Sequence, residues 1–197
     1  MMLAERLRAA IRADNNAEMI PHDGHISDIS TYETTAAAVL IAITDAVDPA
    51  MILTTRPNTM RRHAGQVAFP GGRVDQNDAD IVAAALREAE EEIGLPRDLP
   101  DVVGTVDLYR TVTHYTITPV LAVIPHGLPL VANPDEVSDI FEVPLNFLMN
   151  PTNHRLKAVN WNGRDRHIFE MHWGGHRIWG ATAAMIVNLS RRLEWRG

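Results

Sequence analysis

Glu88, Glu90, Glu91 and Glu92 place four carboxylates in five consecutive residues. Glu88, Glu91 and Glu92 stand at i, i+3 and i+4, so a helix sets these three on one face, about one turn apart. Like charges at that spacing weaken an isolated helix by about 0.2–0.5 kcal/mol per pair. A divalent cation reverses the sign of that cost, and clustered hard oxygen ligands suit Mg²⁺ or Mn²⁺ better than Zn²⁺. A bare run of glutamates is usually a solvated helix face. Here the neighbours argue otherwise: Arg87 precedes the cluster, Gly94 and Pro96 end it, and Gly71-Gly72 lies upstream.

The carboxylates need a rigid helix beneath them. Val82, Ala85, Leu86, Ala89 and Ile93 form an apolar stripe that predicts one from about Asp80 to Ile93. Asp80 or Asp78 serves as N-cap and Gly94 as the stop. Upstream, Ala36–Thr44 and Met51–Thr55 read as buried strands joined in a hairpin by the Asp45–Pro49 turn. An irregular basic segment, Arg56 to Gly65, leads to a short strand, Gln66–Phe69, broken by Pro70-Gly71-Gly72 and followed by a polar loop, Arg73–Asp78. Two adjacent glycines permit close approaches that no side chain tolerates.

Downstream, Val102–Leu108 and Thr116–Ile124 read as strands and Pro144–Met149 as a short helix. A late hairpin around Asn162-Gly163 joins Trp161 to His167–Trp173, and Thr182–Leu193 reads as a C-terminal helix. At the other end, Leu3, Leu7, Ala10 and Ile11 predict a helix over 3–13, with a connecting loop from Asn15 to Ser30. Helices and strands mixed without a βαβ rhythm point to an α+β fold.

The chain has 197 residues, 46% apolar and 22% charged, which fits one globular domain. Residues 1–30 are read as a helix and loop packed on a domain spanning 31–197. The net charge of −7, from 25 acidic against 18 basic residues, argues against nucleic acid held by general electrostatics. It leaves room for a small anionic substrate, because a bound metal and local arginines invert the sign within a site. No cysteine is present, which excludes disulfide and thiolate chemistry. The longest apolar run, Ala36–Ile43, is too short to span a bilayer, and Met1–Leu7 lacks a secretory apolar core. Cytoplasmic residence and no membrane partner are the expectation. A homodimer is left open.

Arg87-Glu88-Ala89-Glu90-Glu91-Glu92-Ile93-Gly94-Leu95 resembles the core of the Nudix box, R-E-U-x-E-E-x-G-U with U apolar, and Gly71-Gly72 lies where that family places its glycines. The resemblance departs in the loop. The family box carries a glutamate between its glycine and its arginine. Here no Glu occurs between Gly72 and Arg87, the span is one residue longer, and Asp75 or Asp78 is the substitute. A second stretch, Thr54, Arg56, Arg61, Gly65 and Phe69-Pro70-Gly71-Gly72, is similar to the signature of coenzyme A pyrophosphatases. Thr118-Pro119-Val120, Asp135-Glu136-Val137 and Ile178-Trp179-Gly180-Ala181-Thr182 look like the same subgroup, while His114-Tyr115 stands where a glycine-aromatic pair is common.

The resemblance implies a Nudix fold, a mixed β-sheet sandwiched between α-helices. It implies a hydrolase that needs Mg²⁺ or Mn²⁺ and cleaves the pyrophosphate bond of coenzyme A to adenosine 3′,5′-bisphosphate and 4′-phosphopantetheine. Carried over residue by residue, Glu88, Glu91, Glu92 and the Gly72 carbonyl are the metal ligands. Arg87 orients the glutamates, and Glu91 or Glu136 is the general base, Glu136 from a loop able to swing in. Arg56, Arg61 and Arg62 are the candidates for binding substrate phosphates, as guanidinium forks suit such oxygens. The rivals are a Nudix pyrophosphatase acting on ADP-ribose, dinucleotides or nucleoside triphosphates, and a non-catalytic nucleotide-sensing Nudix module.

Overall fold

The structure, a computed structural model, describes residues 2–13, 18–20, 22, 33–59, 64–161 and 163–195. Helix α1 (Leu3–Arg12) precedes a hairpin of strands β1 (Thr35–Asp45) and β2 (Ala50–Thr55). Two very short strands, β3 (Val67–Ala68) and β4 (Gly71–Arg73), lead to helix α2 (Ile81–Ile93). Strands β5 (Asp101–Thr105), β6 (Tyr109–Arg110), β7 (Tyr115–Pro125) and β8 (Asp139–Pro144) follow, then helix α3 (Leu145–Met149). The chain closes with β9 (Arg155–Trp161), β10 (Arg164–Trp173), β11 (His176–Trp179) and helix α4 (Gly180–Leu193). Among the described residues no helix is long and apolar enough to cross a membrane.

The main sheet has eight strands and mixed sense. Strand β1 pairs along its whole length with β7 in parallel, from Thr35↔Tyr115 to Asp45↔Pro125. Its other edge is shared. Strand β2 pairs antiparallel with β1 near the turn, at Ile43↔Met51, and β4 takes the far end, from Ala37↔Arg73 to Val39↔Gly71. Strand β2 has the converse arrangement: β8 covers one edge, and β3 occupies the far part of the other at Thr54↔Ala68 and Thr55↔Val67. Thus β1 and β2 diverge beyond their turn, and residues 67–73 fill the gap. A separate antiparallel sheet runs β11-β10-β9.

The unbroken apolar run of β1 is explained by cover on both faces. Val39, Ile41 and Ile43 join one buried cluster with α1, α4 and the second sheet, through Leu7, Ile186 and Met171. Ala38, Leu40 and Ala42 join the other, with Ala84, Ala85, Ala89 and Ile93 of α2. Ala38, Ala42, Ala84, Ala85, Ala89 and Ala122 are all fully buried, so small side chains bring α2 close against the sheet. That proximity sets the height of the glutamates above the strands.

Most elements match their sequence expectation: the α2 helix, the β1–β2 hairpin, the short α3 helix and the β9–β10 hairpin. Three points differ. Gly71–Arg73 form a ladder with β1 rather than the start of a loop, because β1 has an open edge there. The strand read over Val102–Leu108 stops at Thr105, and its pairing with β7 carries a bulge between Val102 and Gly104. His176–Trp179 form a third strand that the hairpin reading missed. The loop read over Asn15–Ser30 lies mostly outside the described residues. His114 takes a left-handed backbone, φ 66°, in the turn closed by its N–H on the Thr111 carbonyl, which accounts for the glycine common at that position.

Candidate active site

Helix α2 begins at Asp80, whose carboxylate accepts the Ala83 N–H at 2.8 Å, a cap that contributes about 1 kcal/mol. It ends at Gly94, in the left-handed conformation. The last carbonyls of the helix then need donors. Asn133 N–H donates to the Glu92 carbonyl at 2.9 Å and Val131 N–H to that of Ile93 at 3.0 Å. The loop that closes the helix is therefore the loop that carries Glu136.

The same loop is tied down at both ends. The Asn133 carbonyl accepts the N–H groups of Glu136 and Val137, and the Asn133 side chain accepts that of Asp135. Ser138 donates both its N–H, at 2.8 Å, and its hydroxyl, at 3.0 Å, to the Thr55 carbonyl. Glu136 is presented by a hydrogen-bonded turn. The Asn133-Pro134 dipeptide is the sequence signal for this turn.

Arg87 is the hub of the cluster. Its Nε and Nη2 hold Asp78 Oδ1 and Oδ2 at 2.9 and 3.0 Å, and Nη2 also donates to the Arg73 carbonyl at 3.0 Å. Nη1 donates to Glu88 at 2.9 Å and to Glu91 at 3.1 Å. Between the two sequence candidates the structure selects Asp78 as the partner, with the Asp75 N–H donating to the same carboxylate. Hydrogen bonds from Arg87, then that of Asp75, hold the Asp78 carboxyl below its ordinary range. The Asp78 fork in turn raises the Arg87 guanidinium.

Glu92 is the buried member, 3% exposed, and accepts the Gly71 N–H at 3.1 Å. Burial pushes its carboxyl up to about 7; the Gly71 bond and the Arg56 charge oppose the shift, and the charges of Glu136 and Glu88 add to it. Glu88 is raised too, by burial first, against Arg87 and with help from Glu91 and Glu136. Glu91 is the most open of the three, its side chain 48% exposed.

The paired glycines are needed for contact. A Cβ on Gly71 would lie 2.4 Å from the Ala38 carbonyl oxygen, and one on Gly72 would lie 2.5 Å from Glu88 Oε2. Gly72→Ala should therefore displace the Glu88 carboxylate and weaken divalent-ion binding by at least tenfold, measurable by calorimetric titration with Mn²⁺; unchanged affinity would show that the contact is immaterial.

The structure thus gathers Gly72, Glu88, Glu92, Arg87 and Glu91 at one end of α2, with the charges of Glu136 and Arg56 felt at Glu92. Arg56 Nε is buried without a hydrogen-bond partner among the described residues. Arg61 and Arg62 lie outside those residues. Among them, no three His, Asp or Glu side chains form a ready-made metal cage. Glu88 and Glu91 are bonded to Arg87, and Glu92 to the Gly71 N–H. The residues nonetheless fit one. Two buried or half-buried carboxylates pushed upward by burial and by neighbouring carboxylates are what a divalent ion neutralises, and all the donors are hard oxygens.

A NUDIX domain profile matches residues 34–164. A Cronobacter sakazakii protein named "Uncharacterized Nudix hydrolase NudL" is 38% identical over 164 residues, covering 83% of this chain and 85% of its own length. A protein of the same name from Photorhabdus laumondii is 40% identical over 158 residues, covering 80% and 84%. Among solved structures, a NUDIX hydrolase from Alicyclobacillus acidocaldarius is similar at 19% identity and TM-score 0.49, over 62% of this chain and 84% of that one. On the profile match and the identity to these relatives, the chain belongs to the Nudix family of hydrolases.

Proposed function

We propose that this hydrolase cleaves the pyrophosphate bond of coenzyme A or its derivatives, releasing adenosine 3′,5′-bisphosphate and 4′-phosphopantetheine. The observation that carries the reading is the carboxylate cluster of α2 held against the Gly71-Gly72 bend with Arg56 beside it. The substrate assignment rests on the Thr54–Gly72 signature that delivers Arg56 and this bend together.

In this reading Glu88, Glu91, Glu92 and the Gly72 carbonyl hold Mg²⁺ or Mn²⁺. When bound, the ion acidifies water and neutralises charge on the phosphate oxygens. Arg87 keeps Glu88 and Glu91 on one side of the cluster through its Nη1, while Asp78 anchors the guanidinium from behind. Glu91, or alternatively Glu136 from the loop that closes α2, takes the proton of the attacking water. The new P–O bond forms as the anhydride P–O bond breaks, and the leaving phosphate carries away the electron pair. Arg56, whose Nε has no hydrogen-bond partner among the described residues, and Arg61 and Arg62 bind the substrate's phosphates.

Product analysis with coenzyme A, its disulfide, acyl forms and ADP-ribose, with and without divalent ions, tests the assignment. Coenzyme A forms should show the highest kcat/KM; preference for ADP-ribose would replace the substrate. Arg61→Ala should raise KM for coenzyme A by about tenfold and more than for dephospho-coenzyme A, the cost of a lost charged contact. Equal effects on the two would remove recognition of the 3′-phosphate from Arg61.

A further inference from the structure

The segment Ile178-Trp179-Gly180-Ala181-Thr182 has no part in the site as described so far. It lies beyond the matched domain, at the junction of β11 and α4. Gly180 has φ 63°, so the strand turns into the helix with no intervening loop. Thr182 consequently falls in the first turn of α4. A threonine there commonly bonds within its own helix end. Here the hydroxyl leaves the helix and donates to the Val67 carbonyl at 3.0 Å, and Thr182 is 7% exposed.

Val67 belongs to β3, which sits in the gap where β1 and β2 diverge. Only two residues of β3 pair with β2. Two residues later the chain crosses to β1, where the Leu40 N–H donates to the Pro70 carbonyl at 2.8 Å. It then presents Gly71 to Glu92 and Gly72 to Glu88. A two-residue ladder is a weak anchor for a bend that must place backbone against two carboxylates. On the β2 side the Thr54 hydroxyl donates to the Ala68 carbonyl at 3.2 Å and the Arg56 N–H to the Gln66 carbonyl at 3.0 Å; the Thr182 hydroxyl is the anchor supplied from outside the main sheet.

We propose that Thr182 is a positioning residue for the metal-binding bend. Its bond to the Val67 carbonyl fixes β3, and through it the Gly71-Gly72 bend, so that the start of α4 influences divalent-ion affinity. This rests on the reading of Glu88, Glu92 and Gly72 as the ion's ligands.

Thr182→Val keeps the shape and removes the donor; Thr182→Ser keeps the donor. Mn²⁺ binding to the full chain, read from the electron paramagnetic resonance of free Mn²⁺, should weaken roughly tenfold in Thr182→Val and return to within about twofold in Thr182→Ser, as for outer-shell partners of metal ligands. Amide hydrogen exchange at 67–72 should quicken in the valine variant alone. A purely structural threonine would lower Tm and leave Mn²⁺ affinity unchanged, which overturns the proposal. Should Thr182→Val not fold, Thr182→Ala serves, with the same expected loss and the same overturning result. Failure of the wild-type chain to bind Mn²⁺ would instead overturn the ligand assignment beneath it.

Discussion

Glu91→Gln should cut kcat by about 10²- to 10⁴-fold with saturating Mg²⁺ or Mn²⁺, the usual span for losing a group that moves a proton in the transition state. The same change should barely touch the fold. Glu91 is nearly half exposed, and its described ion pair is the i,i+4 contact with Arg87. Such pairs contribute about 0.3–0.5 kcal/mol when exposed, less than can be resolved in many urea titrations. Steady-state rates and a denaturation curve on one preparation separate the two effects. Wild-type turnover would strip Glu91 of its assigned role. A matching collapse of stability would mean that activity was lost with the structure.

The second large effect concerns Glu92 and has the opposite sign for stability. A carboxyl whose folded value lies above its unfolded one binds its proton more tightly when folded. Its contribution to stability is complete below the ordinary value of 4.5 and is lost as pH rises through about 7. The interval corresponds to roughly 3 kcal/mol at most. The metal-free protein should therefore melt several degrees higher at pH 6 than at pH 8, at about 2–4 °C per kcal/mol for a chain of this size. Divalent ions bind the ionised form, so Mg²⁺ or Mn²⁺ should raise Tm more at pH 8 than at pH 6.

Glu92→Gln removes this titration and keeps an acceptor for the Gly71 N–H. It should flatten the metal-free pH dependence, raise Tm at pH 8 and abolish most activity. A variant less stable than the wild type in metal-free buffer at pH 8 would contradict burial as the dominant influence on Glu92. A gain in stability paired with a loss of activity is the outcome expected where function requires a buried charge.

Much of the local structure was legible because it depends on neighbours in sequence. The i, i+3, i+4 spacing places Glu88, Glu91 and Glu92 on one face by helical geometry alone. Asp80 caps and Gly94 stops the helix through bonds within a few residues. The apolar run of β1 announces a strand covered on both sides. These features set the helix and the strand before any tertiary contact is considered, and the family was legible separately, in the resemblance of Arg87–Leu95 to the Nudix box.

Other assignments needed the folded chain, because long-range partners decide them. Asp75 and Asp78 were equivalent candidates until the one-residue-longer loop brought Asp78 into a fork with Arg87. Gly71–Arg73 became a strand because β1 diverges from β2 and leaves an edge to pair. The loop of Glu136 is held against the end of α2 because it satisfies the last carbonyls of that helix, across about forty residues of chain, and the Glu136 charge is felt at Glu92. Composition and spacing specify which groups are available. The depth at which Glu92 is buried, and hence the upward push on its carboxyl, arises only when alanines on α2 and the sheet let the two surfaces close.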